Sequence, residues 1–276
     1  MEITVLLENE SRKKGLAAAH GLSVWVREGD TRLLFDTGPD DSLLGNAKDL
    51  GINLSTVTAL VLSHNHGDHT GGVMPLLKHI ERPVPIYTGM GFSRERYARE
   101  GDDCRKISNL DRLDLLQRDA ALVEVGAEPL SLGGRLYLMS GWDRPEPYET
   151  ASGRYVFRKD DGWETDSFAE EVALVYDGNE ELTMLTGCAH PGIVGMVKKA
   201  VEAFHKPVHT LLGGAHLINA DEERVQMTAA ALSELGIKIV GLAHCSGEGI
   251  GKVWQKKKYG AVAGFHGGDR VVVEVR

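Results

Sequence analysis

Residues 63–72 read Ser63-His64-Asn65-His66-Gly67-Asp68-His69-Thr70-Gly71-Gly72, directly after the apolar run Ala59-Leu60-Val61-Leu62. His64, His66, Asp68 and His69 crowd imidazoles and a carboxylate into one short stretch. Imidazole is the commonest metal ligand among side chains, and together with carboxylate it suits zinc or iron. A regular helix cannot aim these four groups at one point, because positions two apart lie on different faces. A turn that follows a strand can, and Gly67, Gly71 and Gly72 supply the backbone freedom for it. The donors either share one ion or divide, with His64 and His66 on one and Asp68 and His69 on a neighbour. A loop that is histidine-rich by chance is the competing reading. It does not account for histidine at i, i+2 and i+5 with Asp between, immediately after a buried strand.

Outward from this stretch the pattern is that of a mixed α/β chain. Glu2–Leu7, Ser23–Arg27 and Arg32–Phe35 read as strands, the last two joined by a Glu28-Gly29-Asp30 turn. Asp41–Leu50 reads as a helix, Val57–Leu62 as the strand that delivers the histidines, Thr70–Ile80 as a helix opened by two glycines, and Val84–Tyr87 as a strand. From Gly89 to Asp119 the chain is polar and lacks clear periodicity, so irregular structure or short helices are expected there. Strand patterns resume at Leu122–Val125, Glu128–Leu132, Arg135–Met139, Val172–Tyr176 and Leu182–Leu185. The intervening Ser140–Phe168 reads as a loop or lid. The last third alternates helix 193–204, strand 208–212, helix 222–235, strand 238–241 and helix 250–258, an α/β rhythm with helices covering a sheet.

Four further stretches share one context: an apolar strand, a small residue, then a potential ligand. They are Phe35-Asp36-Thr37-Gly38, Thr186-Gly187-Cys188-Ala189-His190, Gly213-Gly214-Ala215-His216 and Leu242-Ala243-His244-Cys245. A sheet holds such strand-end residues rigidly, which a metal site needs. His190 and His244 stand out as ligands. Asp36 suits a residue that orients the imidazoles from behind, or one that caps a turn. His216 suits a proton donor near a substrate, or a packed histidine. Cys188 and Cys245 are more often small buried hydrophobes than ligands. His79, His205 and His209 lack this context, and His20 and His266 are ambiguous.

Composition narrows the classes. The chain has 276 residues, long enough to bury a substantial core, and 42% hydrophobic with 26% charged residues is an ordinary globular balance. A net charge of −9 gives no general attraction to nucleic acid or anionic membrane, although a bound dication and a few arginines reverse the potential locally. No apolar run approaches the roughly 20 residues of a membrane span. Met1–Asn9 reads as an acid-flanked strand rather than a signal peptide. The three cysteines, Cys104, Cys188 and Cys245, show no paired spacing. They point to a reducing compartment, and a cytoplasmic location is expected.

The 63–72 stretch resembles the His-x-His-x-Asp-His signature of metallo-β-lactamase-fold hydrolases, and Phe35-Asp36-Thr37-Gly38 resembles that superfamily's first motif. His20-Gly21-Leu22-Ser23, Asn46-Ala47-Lys48, Thr186 to Ile193, Gly213 to Leu217 and His244-Cys245-Ser246-Gly247 are similar to one branch. Its members carry the name 7,8-dihydropterin-6-methyl-4-(β-D-ribofuranosyl)aminobenzene-5′-phosphate synthase. The resemblance covers residues 1–88 and 170–250 well and the middle poorly. It implies a four-layer αββα sandwich over residues 1–276 as one domain, with a variable lid-like insertion at about 89–168. It also implies His64, His66 and His190 on one ion and Asp68, His69 and His244 on a second. Two departures stand out. Cys188 occupies the place where many members carry a bridging Asp, which leaves either a Cys188 ligand or a one-metal site. Gly141-Trp142-Asp143-Arg144-Pro145 replaces a Gly-Glu-Ile-Pro-Arg-like stretch, keeping Arg144 without the acid.

The expected function is that of a metal-dependent hydrolase or phosphoryl-group enzyme acting through a metal-bound hydroxide. One or two divalent ions are expected, zinc foremost, with manganese or iron as alternatives. The expected substrate is a small anion bearing phosphate or a pterin. Asp68 and His216 are the expected catalytic residues. Arg144 would pair with a phosphate through its planar fork, and Gly213 and Gly214 would offer backbone N–H groups to an anion. An iron-dependent redox protein on the same fold and a non-catalytic, metal-stabilised binding protein stand as the alternatives.

Overall fold

The computed structural model describes residues 1–111, 114–115, 121–143, 146–149, 153–160 and 162–274. Two seven-stranded sheets dominate it. The first runs in the spatial order Arg270–Val272, Glu2–Leu7, Ser23–Glu28, Thr31–Phe35, Ala59–Val61, Ile86–Gly89, Leu122–Val125. Its first four strands are antiparallel, and from Thr31–Phe35 onward the neighbours are parallel. The second runs Ala261–Val262, Ile239–Leu242, Val208–Gly213, Leu182–Thr186, Ala173–Asp177, Leu136–Met139, Leu130–Gly133. Here the first four strands are parallel and the rest antiparallel.

Strand alternation divides each sheet's apolar residues between two faces. Leu33, Phe35 and Val61 of the first sheet meet Leu174, Leu185 and Leu212 of the second in one core between the sheets. Leu34 and Leu60 point the other way, onto Leu43 and Ala47 of the Ser42–Asp49 helix and Val73, Leu76 and Ile80 of the Val73–Ile80 helix. Met184 and Leu211 likewise face helices Ile193–Phe204, Glu222–Glu234 and Gly249–Lys257. Helices, sheet, sheet and helices make the expected four-layer αββα sandwich. Among the described residues no helix is long and apolar enough to cross a membrane.

The expected helix over 70–80 is two helices, Gly67–Thr70 and Val73–Ile80. The break falls at Gly71 and Gly72, where the chain presses on the 37–40 loop. A Cβ at Gly71 would lie 1.8 Å from Pro39 O, and one at Gly72 would lie 2.5 Å from Thr37 O.

The middle of the chain is more regular than its composition suggested. Leu122–Val125, Leu130–Gly133 and Leu136–Met139 belong to the two main sheets. Within 89–119 and 140–168, where irregular chain was expected, two hairpins form a third sheet in the order Gly162–Thr165, Tyr155–Lys159, Arg96–Glu100, Asp103–Lys106. Its strands are rich in charge because one face is in solvent, where ion pairs such as Arg105–Glu100 and Lys159–Glu164 join neighbouring strands. The apolar alternation that betrays a strand is therefore thin. On the inner face Arg96 is buried, donating through Nε to Asp166 Oδ2 at 2.7 Å, through Nη1 to Phe92 O at 3.0 Å, and pairing with Glu170.

Candidate metal centre

The parallel strands of both sheets end at the same edge of the sandwich. Phe35 is in register with Val61, Thr186 with Gly213, and Gly213 with Leu242. The residues that follow these strands are Asp36, the 63–69 stretch, Cys188 to His190, His216 and His244. Hydrophobic burial of the strands thus carries every strand-end candidate to one place.

There the donors fall into overlapping sets. His64, His66 and His190 place ligand atoms within 4.8 Å of one another, as do His64, His69 and Cys188. His64 Nε2 is 3.1 Å from His66 Nδ1. Next to them, His69 Nε2 is 3.2 Å from His244 Nε2 and 3.2 Å from Cys188 Sγ. Asp68 Oδ2 is 3.4 Å from His244 Nε2 and 3.7 Å from His69 Nε2. His20, ambiguous in sequence, is exposed with Nε2 3.4 Å from Asp68 Oδ2.

Oxygen acceptors behind the rings fix which nitrogen faces the centre. Asp36 Oδ2 accepts from His69 Nδ1 and from Ser63 Oγ, both at 2.7 Å, and Asp36 Oδ1 accepts from Ser63 N. Ser63 Oγ in turn takes His64 Nδ1–H at 2.8 Å. Asn9 Oδ1 takes His244 Nδ1–H at 2.8 Å, and Glu8 Oε1 accepts from His244 N at 2.7 Å. In each case the rearward Nδ1–H bond turns Nε2 toward the centre, where it offers a lone pair when the ring is neutral. Glu171 holds the other loop, accepting from Cys188 N and Ala189 N through Oε1 and from His190 N through Oε2.

Burial sets most of the titration behaviour. It pushes His64 and His190 well below the ordinary histidine range, His66 down to about 3 and His216 down to about 4. These rings are neutral lone-pair donors at pH 7. Burial also raises the Cys188 thiol. It opposes charge on His69 too, but Asp36 and Asp68 outweigh it and raise that ring to about 9. Burial likewise opposes the Asp68 carboxylate, yet His69, His244 and His66 hold it well below the usual range. Positive charge is therefore favoured at His69, beside the Asp36 and Asp68 carboxylates, while burial lowers the neighbouring His244 ring; a divalent cation would satisfy the same carboxylate demand. His66 Nε2 is buried with no hydrogen-bond partner among the described residues. Imidazoles, a carboxylate and a thiol, converging and oriented from behind, fit a metal ion of the zinc or iron type.

The third sheet lies over the histidines. Phe168 stacks on His190 with ring centroids 4.1 Å apart, and Tyr155 stands 5.4 Å from His66 and 5.9 Å from His216. His216 itself is 4.2 Å from His190. Arg144 lies outside the described residues. Gly214 N–H is engaged by Thr186 O at 3.4 Å, and both glycines of the 213–214 pair are explained by close packing: a Cβ would lie 2.0 Å from Thr186 O at Gly213 and 2.3 Å from Gly187 O at Gly214.

Sequence reasoning passed over Ser63, Glu8, Asn9, Glu171, Tyr155 and Phe168. Glu8 and Asn9 carried the one usable signal, since they follow a buried strand just as Asp36 does. Glu171 precedes its strand and has no spacing motif to mark it.

The metallo-beta-lactamase superfamily matches residues 18–97 of this chain. The 7,8-dihydropterin-6-methyl-4-(β-D-ribofuranosyl)-aminobenzene-5′-phosphate synthase of Methanocaldococcus jannaschii is 30% identical over 247 residues, which span 83% of this chain and 81% of that protein. The crystal structure of Tm1679, a metal-dependent hydrolase of the β-lactamase superfamily, superposes with a TM-score of 0.85 at 26% identity over 99% of both chains. YhfI from Bacillus subtilis, a metallo-β-lactamase fold protein, shares the fold with a TM-score of 0.62 at 14% identity over 98% of both chains. The strand-end centre, the sandwich that carries it and a relative of this length and identity agree: the chain belongs to the metallo-β-lactamase superfamily, in the branch similar to the dihydropterin ribofuranosylaminobenzene phosphate synthase.

Proposed function

We propose that this protein is a binuclear metal-dependent enzyme of hydrolytic or phosphoryl-transfer type, acting on a small phosphate-bearing anion. The observation that carries the reading is the pair of adjacent donor groups, His64/His66/His190 and the mutually close Asp68, His69 and His244, with the His64, His69 and His244 rings oriented by Ser63, Asp36 and Asn9. Each set would hold one ion, zinc before manganese or iron. When bound, such ions lower the pKa of water toward about 7 and neutralise a developing oxyanion.

The chain's own residues do the rest. Asp68, only partly buried while its neighbours are closed in, orients a nucleophile at the mouth of the site. His216 is neutral at pH 7, so it donates a single N–H to an oxyanion or a leaving group. Tyr155 and Phe168 exclude water from above, with the third sheet as the cover. The M. jannaschii relative is named for a phosphate-containing, pterin-linked product. That name and the metal centre together support a phosphorylated substrate with a planar ring system. Arg154 supplies positive charge there, since it lies over the Tyr155 ring at 5.8 Å and its charge is felt at His216.

The test is metal content of protein purified without added metal or a histidine tag, followed by turnover of chromogenic phosphate esters. About two ions per chain, with turnover abolished in folded His64→Ala and Asp68→Ala variants, is the expected result. Wild-type turnover in those variants, or no metal retained even after reconstitution, overturns it.

A further inference from the structure

Beside the histidine–carboxylate sets lies a pair of thiols that the proposed chemistry does not use together. Cys188 follows the Leu182–Thr186 strand and Cys245 follows Ile239–Leu242, two strands separated by Val208–Gly213 in the second sheet. The middle strand ends in Gly213-Gly214, and it is the missing side chain of Gly214 that lets the two cysteines meet. A Cβ there would lie 2.7 Å from Cys245 Sγ and 2.9 Å from Cys188 Cα. Both residues are buried, at 3% and 5% exposure, and both are free thiols. Their sulfurs and a ring nitrogen of His244 lie within 4.8 Å of one another. Cys245 Sγ reaches Cys188 O at 3.5 Å, and Cys188 Sγ reaches His69 Nε2 at 3.2 Å.

We infer that Cys188, Cys245 and His244 form a soft-donor face of the centre, a two-thiolate, one-imidazole set for a thiophilic ion such as zinc, cadmium or copper(I). It deepens the metal-enzyme reading and rests on it, because His244 is shared between this face and the Asp68/His69 set. Soft sulfur donors select such ions over magnesium, calcium or manganese, which prefer oxygen. As each S–metal bond forms, the thiol proton leaves to solvent, since a coordinated thiol is deprotonated outright; no electrons change hands. The two faces compete for His244, so an ion on the sulfur face withdraws a ligand from the second hydrolytic position.

The experiment is titration of the reduced protein with cadmium, following the sulfur-to-cadmium charge-transfer band in the ultraviolet. Wild type and Cys104→Ser should give equal bands. Cys188→Ser and Cys245→Ser should each lose about half the intensity, and the double variant all of it. A Cys245→Ser band equal to wild type means that Cys188 binds alone and overturns the inference. Thiol titration of the unreduced, denatured protein should find all three cysteines free; one free thiol means that Cys188 and Cys245 are spent on each other, and overturns it too. Should Cys245→Ser fail to fold, X-ray absorption on wild type with a single equivalent of cadmium counts the sulfur neighbours: two sustain the inference, one or none rejects it. Zinc-dependent turnover without the band would remove this inference alone, and the band without turnover would remove the enzymatic reading alone.

Discussion

Asp36 Oδ2 lies 2.7 Å from His69 Nδ1, and both side chains are wholly shielded from solvent. Asp36 also sits at φ +57°, a left-handed conformation that few residues other than Gly, Asn and Asp adopt. The carboxylate thus orients the ring from behind while touching nothing at the centre itself. Asp36→Asn would turn an amide N–H₂ or a single carbonyl toward a ring nitrogen and a serine that both donate. Metal affinity should fall by about 10–100-fold, read by competition with a chromogenic chelator, with circular dichroism unchanged. Unaltered affinity would show that Asp36 serves the turn alone.

His216 should separate chemistry from metal binding. Its ring lies 4.2 Å from His190 but is absent from every donor set of the centre among the described residues. His216→Ala should lower kcat by about 10²–10³-fold, the ordinary weight of one hydrogen-bond donor to a developing oxyanion, while metal content per chain holds at the wild-type value. Loss of metal in step with loss of activity would make His216 a ligand.

The third sheet depends on one guanidinium. Arg96 is 2% exposed and satisfies Asp166 and Glu170 together. Arg96→Met leaves two carboxylates facing an apolar stem, a change that should destabilise the protein by about 3–5 kcal/mol. Limited proteolysis should then cut within 89–168 first while the two main sheets persist. A wild-type cleavage pattern would contradict this.

Gly214→Ala tests the crowding at the strand ends. The added methyl has Gly187 O at 2.3 Å and Cys245 Sγ at 2.7 Å, and backbone on one side gives it little room to relax. Denaturant unfolding should show a loss at the upper end of about 1–3 kcal/mol. A neutral substitution would mean that the neighbouring strand ends yield.

Glu171 makes stability depend on pH. Burial outweighs its three backbone donors and pushes the carboxyl up from 4.5 to about 7. The folded chain therefore holds a proton that the unfolded chain releases, and stability carried by that proton is complete below 4.5 and is lost as pH rises through about 7. In metal-free protein the stability difference between wild type and Glu171→Gln should shift against wild type by about 3 kcal/mol over this window. A difference independent of pH would place the Glu171 carboxyl at its ordinary value.

The strand-end candidates could be read from the chain because the physics that places them is local. An apolar run followed by a small residue and a histidine or aspartate marks the end of a buried strand at Val61, Thr186, Gly213 and Leu242. The layering was not legible in the same way: strands buried on both faces read as continuous apolar runs, and the sandwich was implied by the family resemblance rather than by the residues. Nor was the third sheet legible. Its strands earn their place by pairing with one another and by the single buried Arg96, and neither leaves a periodic apolar signature. The hidden part of the site is of the same kind. Asn9 meets His244 across 235 positions, and Glu171 meets Cys188 across 17, through hydrogen bonds that only the closed fold brings into range. What the sequence determined by itself is which groups stand at the sheet edge. Which nitrogen each ring turns inward, which carboxylate holds each loop, and which two cysteines become neighbours were decided by tertiary structure, since each depends on contacts between segments that local propensity never relates.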